Sequence, residues 1–250
     1  MNTQQQIPGS DADGEASSGL VKLSGTIRNY RCTRASASFV FTDDDRYALG
    51  VVAVAAGLAG LSGQAIATAS AAASADEEAD YVEFELDGQP VKGWVWRSPF
   101  KEGDQVEVAA EWQGEHYEAG GIARPADRMI ALYPHCSRGK KRHIKNAVKW
   151  WFIGVSGIVL CTQIVSLIIS GLISLEEQKY LFYIGLGLYA FFGLAAFSMA
   201  RQWMPFVRLT EKVTTTLELP DASNIDLVKS SKLQRHPDDP GEYGTFYFRY

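Results

Sequence analysis

Cysteine is scarce: Cys32, Cys136 and Cys161 are the only three in 250 residues, and no two stand in a CxxC spacing. An odd, scattered set excludes a disulfide framework and a thiolate zinc site, which need paired or clustered thiols. Histidine is almost as sparse. His116, His135, His143 and His236 fall in neither HExxH nor HxxxH spacing, so no metal-ligand pattern is present. No glycine-rich loop runs into Lys-Ser or Lys-Thr, which removes the phosphate cradle of nucleotide-binding proteins. Gly154-Val155-Ser156-Gly157 falls short of a G-x-S-x-G nucleophile elbow. Asp43-Asp44-Asp45 and His236 with Asp238 and Asp239 read as solvated turns, since no spaced oxygens complete a cation shell. Glu107, Glu111, Glu115 and Glu118 lie on expected strands and turns, with nothing to divide them into acid and base. The expectation is a non-enzymatic protein with no catalytic residue, no cofactor and no metal.

Charge is also missing, but only locally. The chain carries 24 Lys+Arg against 29 Asp+Glu. Residues 150–175 and 180–200 nevertheless contain no charged side chain. About 20 helical residues cross a hydrocarbon core, so each run is long enough to span. Glu176, Glu177, Gln178 and Lys179 form a link too short for anything but a helical hairpin. Trp150, Trp151, Tyr180 and Trp203 stand near the ends, where amphipathic rings favour the headgroup level. Two buried core helices are the weaker alternative, because core helices seldom reach this length without a charge.

Basic residues orient the hairpin. Arg138, Lys140, Lys141, Arg142, Lys145 and Lys149 precede it, and Arg201, Arg208 and Lys212 follow it. The positive-inside rule places both flanks in the cytoplasm and the loop outside. Residues 1–19 lack a basic n-region and an apolar run, so they read as a disordered acidic tail rather than a secretory signal. The expected location is a bacterial inner membrane with both termini cytoplasmic. The basic collar, residues 135–149, is also placed to face anionic headgroups.

Residues 47–75 are apolar in a different way, with 12 Ala and 4 Gly but few large side chains. Gly57, Gly60 and Gly63 mark a nearly bare helical face, the kind that lets helices approach closely in a bilayer and self-associate. A single crossing here would carry the basic collar outside. A hairpin or re-entrant insertion is therefore preferred, then an interface-lying helix, then a true span. An Ala-rich helix pair packed on the soluble domain stands level with membrane contact.

Around this insertion the period is two. Leu20–Ile27, residues 38–42, Tyr81–Leu86, Val91–Trp96, Gln105–Trp112, His116–Ala119 and Arg128–Tyr133 read as short strands, and Asp87-Gly88 is a tight-turn signal. The fold class expected is α+β: a small OB-like antiparallel β domain over residues 20–134, interrupted by the Ala/Gly-rich helical insertion, plus a transmembrane hairpin over 150–203. If both halves form one sheet, they share a side of the membrane. Residues 204–250 read as a polar cytoplasmic tail, with Asp221 as the N-cap of a helix over Ala222–Leu233 and GTFYFRY as an added edge strand. Trp94, Trp96 and Trp112 form a candidate platform for a protein partner. Nucleic acid is not expected, because residues 76–133 carry 14 acids against 5 bases and repel phosphate.

The runs LSGTIRNYRCTRASASFVFTDDD, VEFELDGQPVKGWVWRSPFKEGDQVEVAAEWQGEHYEAGGIARPADRMIALYPHCSRGKKRH with WWFIGV, and GTFYFRY together resemble bacterial membrane proteins labelled type VI secretion system effectors. The resemblance covers most of residues 20–250 and implies association with contact-dependent secretion, but no reaction and no functional residues. It points to a membrane-perturbing effector whose partner is the lipid bilayer. A membrane-anchored interaction or immunity protein that binds a partner in the secretion system is the alternative.

Overall fold

The computed structural model describes residues 19–37, 77–170 and 175–250. Seven strands and four helices follow in order: β1 Val21–Ala37, β2 Glu77–Leu86, β3 Gln89–Val95, β4 Gln105–Trp112, β5 Tyr117–Arg124, β6 Met129–Leu132, α1 Lys140–Ser170, α2 Leu175–Gln202, α3 Met204–Thr216, α4 Leu227–Leu233 and β7 Phe248–Arg249. The strand expected at 38–42, the insertion 47–75 with its Gly57/Gly60/Gly63 face, and the tail 1–18 lie outside the described residues.

Five strands close into a barrel. β1 pairs antiparallel with β2 and with β4, β2 with β3, and β4 with β5, while β3 meets β5 in parallel to shut the ring. A 17-residue strand can serve two neighbours only by bending. The bend falls at a register shift between Arg28 and Arg31, where Asn29 adopts φ 56°. The Glu102 carboxylate accepts the freed Asn29 and Tyr30 N–H groups at 3.1 and 2.8 Å, the local satisfaction that a bulge requires. Asp87 and Gly88, at φ 50° and 83°, make the tight turn between β2 and β3. Alternation along β2 buries Val82, Phe84 and Leu86 inside the barrel beside Ile27, Val91, Val108 and Ile122.

The last described residue before the insertion, Ala37, is the register partner of Glu77, the first after it. Residues 38–76 therefore leave and rejoin the barrel at one point, and the two halves of the β domain belong to one sheet.

Residues 204–250, expected as a tail, are part of the domain. Helix α3 lays Phe206, Leu209 and Val213 against the outer face of β5 and β6, where Ala123, Ile130 and Leu132 form a second core. β7 adds to β6 through Phe248, and Tyr243 is buried among the barrel residues. The polar residues between these apolar positions conceal their long-range partners. The cap assignment also changes. Asp221 sits in the left-handed region before a 3-10 turn at Ala222–Asn224, and the N-cap of α4 is Asp226, which accepts Lys229 N–H at 3.1 Å.

Helices α1 and α2 are both long and apolar enough to cross a membrane, and only 6% of either candidate span is buried within the protein. A core helix of a soluble protein would be largely covered, so the packed-core alternative fails on burial. The helices run antiparallel: Ser156 Oγ and Tyr189 OH are 2.6 Å apart, and Trp151 rests on Gly193. The boundaries differ from expectation. Helix α1 begins at Lys140, so most of the basic collar is helical, and Glu176–Lys179 belong to the first turn of α2 rather than to a loop.

Candidate functional site

The strongest local construction is the junction between barrel and hairpin. Residues 137–139 run beside residues 225–227: Leu227 N–H donates to Ser137 O at 3.1 Å, and Gly139 N–H donates to Ile225 O at 3.0 Å. Only glycine fits at 139, since a Cβ would overlap the backbone of Ala222 and Ser223. Asp226 then receives two collar arginines, Arg142 Nε at 2.7 Å and Arg138 Nε at 3.3 Å. Burial works to raise the Asp226 carboxyl, but the hydrogen bonds from Arg142 and Lys229 N–H, with both arginine charges, hold it below the usual carboxylate range.

The six collar residues are thus of two kinds. Arg138 and Arg142 tie the hairpin to the domain, while Lys140, Lys141, Lys145 and Lys149 stay exposed, Lys149 lying over the Trp150 ring. Asp226→Ala should destabilise the protein by about 1–2 kcal/mol through loss of a helix cap and a half-buried charge cluster. Asp226→Asn, which can still cap, should recover part of that. Thermal unfolding of the detergent-solubilised protein measures both, and equal melting of all three forms would refute the clamp.

Beside this clamp His135, at φ 66°, is enclosed by Trp96, Trp203 and Phe206 at ring distances of 5.1, 5.3 and 5.2 Å. Its Nε2 lies 3.2 Å from Glu77 Oε2. Burial lowers the His135 pKa, with Glu77 acting in the opposite sense. The neighbouring Cys136 side chain diverges, donates to Phe206 O at 3.4 Å, and has its thiol pKa pushed up to about 12 by burial. It is not an activated nucleophile.

The three candidate platform tryptophans make separate contacts. Trp96 packs between His135 and Phe246, Trp94 meets Tyr81 at 5.0 Å, and Trp112 meets Tyr117 at 4.8 Å with the rings tilted and 49% of its surface exposed. Trp112 alone of the three is an exposed large apolar side chain.

At the collar end of the hairpin an apolar groove of about 550 Å³ opens between α1 and α2. Ala147, Trp151, Gly193 and Ala196 line it, and His143, Arg201 and Arg208 stand at its polar end. His143 Nε2 meets Ala200 O at 3.0 Å. In the sequence Arg201 and Arg208 read as topology signals only. Their convergence with His143 depends on the turn from α2 into α3 at Trp203.

A second unforeseen feature is a buried acid pair on the barrel wall. Glu111 and Glu118 are cross-strand partners, exposed by only 7% and 5%. Burial raises the Glu118 pKa to about 8, against a lowering by Lys92, and raises Glu111 against Lys212. His116 Nε2 lies 3.4 Å from Glu118. Among the described residues no group of three or more His, Cys, Asp or Glu is arranged to hold a metal ion. No family model, curated protein or solved structure matches the chain.

Proposed function

We propose that the chain is a non-enzymatic bacterial inner-membrane protein that holds its barrel against the cytoplasmic face as a binding module for a protein partner. The observation that carries this reading is the rigid junction. Helix α2 turns directly into α3, which packs on the barrel, and Asp226 grips both arginines at the start of α1. A tethered domain would need none of these contacts. The strand order, with β1 shared by two neighbours and β3 parallel to β5, supports an OB-like barrel, a scaffold that binds through its faces and loops. The acidic barrel argues against nucleic acid and for a partner with a basic surface. The type VI secretion setting rests on the resemblance of sequence alone.

A membrane-perturbing effector is the second reading, and one observation favours it. Glu77, where the insertion rejoins the barrel, touches His135, which packs on Trp203 at the end of α2. The paired residues that flank the insertion, Ala37 and Glu77, therefore lie on the hairpin side of the barrel, and the effector reading needs the Gly57/Gly60/Gly63 face to meet lipid or a second copy. Depolarisation of the host membrane on expression, abolished by Gly60→Leu, would select this reading over the anchor.

Both readings require the same topology. Reporter fusions at Ser10 and after Tyr250 should read cytoplasmic, and a fusion at Glu177 periplasmic, because the basic residues flank the hairpin on one side. A periplasmic signal at either terminus would overturn the proposal.

A further inference from the structure

The geometry points to the groove at the collar end of the hairpin as a binding site for one anionic phospholipid, a step that rests on the inner-membrane reading above. The groove is apolar along α1 and α2 and cationic where α2 gives way to α3. Arg201 and Arg208 border it, and neither has a carboxylate partner among the described residues. Cations left unpaired beside an apolar slot of about 550 Å³ match one chemistry: an acyl chain along the helices and a phosphate at the arginines. Elsewhere at this junction arginines have a carboxylate partner, as Arg138 and Arg142 share Asp226. Small residues, among them Gly193 and Ala196, keep the slot open, and exposed Trp150 and Trp203 mark this level as interfacial.

The collar lysines differ from this site. They are exposed and splayed along the first turns of α1, suited to a diffuse negative surface rather than to one headgroup.

Native mass spectrometry of the full chain in neutral detergent tests the site, with phosphatidylglycerol or phosphatidylcholine added. One phosphatidylglycerol per chain should bind about thirtyfold tighter than phosphatidylcholine, the scale expected for two basic contacts. Arg201→Gln with Arg208→Gln should erase the preference, and Ala196→Phe, which fills the slot, should remove the bound lipid while the barrel melts as in the wild type. Lys141→Gln with Lys145→Gln should leave that lipid in place. Equal binding of the two lipids, or loss of the preference with the lysine pair alone, overturns the site. So does displacement by inorganic phosphate, which would make it an anion site, or an altered oligomeric state in the groove variants with lipid binding unchanged, which would make it a protein interface. Alkaline carbonate extraction reports the membrane reading separately. A chain released from the membrane pellet overturns the anchor, whereas a pelleted chain without lipid preference overturns the groove alone.

Discussion

Gly93→Val should cost the protein more than about 3 kcal/mol, at or beyond the top of the usual range for overpacking. Gly93 lies in β3 next to the residues that pair in parallel with β5, where the barrel closes. A Cβ built there would stand 2.7 Å from the Ala119 carbonyl oxygen and 3.1 Å from its nitrogen. These are backbone atoms of a strand held on its other edge by β4, so no rotamer change relieves the overlap. The strands must part, and parting them opens the one seam that converts a sheet into a barrel. Alanine at 93 should already destabilise, and valine should add branched bulk at the same point. Gly187→Ala, which meets nothing within 4 Å on the hairpin, should leave the melting of the barrel unchanged. Thermal unfolding with hydrogen exchange in detergent reads the outcome. Unaltered protection of β3 and β5 amides in the valine variant would show that the seam is not the weak point.

Gly93 also marks where sequence reading stops. Alternation along Tyr81–Leu86 and the Asp87-Gly88 turn are local signals, and both appear in the structure as read. The uncharged helices were equally legible, because length and absence of charge need no partner, but the expected link Glu176–Lys179 is helical and belongs to α2. What the sequence hid depends on contacts between distant segments. Asp226 is 84 residues from Arg142 and 88 from Arg138, so nothing near the collar announces that two of its six positives share a carboxylate. The domain character of residues 204–250 was hidden similarly: Phe206, Leu209 and Val213 follow a helical period, but the face they cover lies on β5 and β6. The ring partners of Trp94, Trp96 and Trp112 were hidden in the same way. The two-residue period offers Trp94 and Trp96 as neighbours on one face, but Trp96 packs against His135 and Phe246 while Trp94 meets Tyr81.

Glu118→Gln should stabilise the protein by roughly 2–3 kcal/mol at pH 7, and this gain should vanish near pH 4.5. Glu118 is a polar position on an outward strand face, which period-two reading assigns to solvent, yet it is 5% exposed. Desolvation is the main cause of its pKa of about 8, against 4.5 for the free side chain, and Lys92 offsets only part of it. The sign follows from proton counts. Below pH 4.5 the carboxyl is protonated in both states and contributes nothing to the difference. Between 4.5 and 8 the unfolded chain releases the proton and the native barrel keeps it, so native stability falls as pH rises. Above 8 both states are ionised and the penalty is constant. Glutamine carries no such proton, so the stability difference between variant and wild type should climb through that window and then level off. Its side chain retains the hydrogen-bonding size of the acid, which leaves the packing around Tyr81, Lys92 and His116 in place. Chemical unfolding of both forms in detergent at several pH values between 4.5 and 8.5 measures the difference directly, and the shared response of every other carboxylate cancels. Parallel stability profiles for the two proteins would show that Glu118 is solvated in the native barrel and that its burial carries no energetic cost.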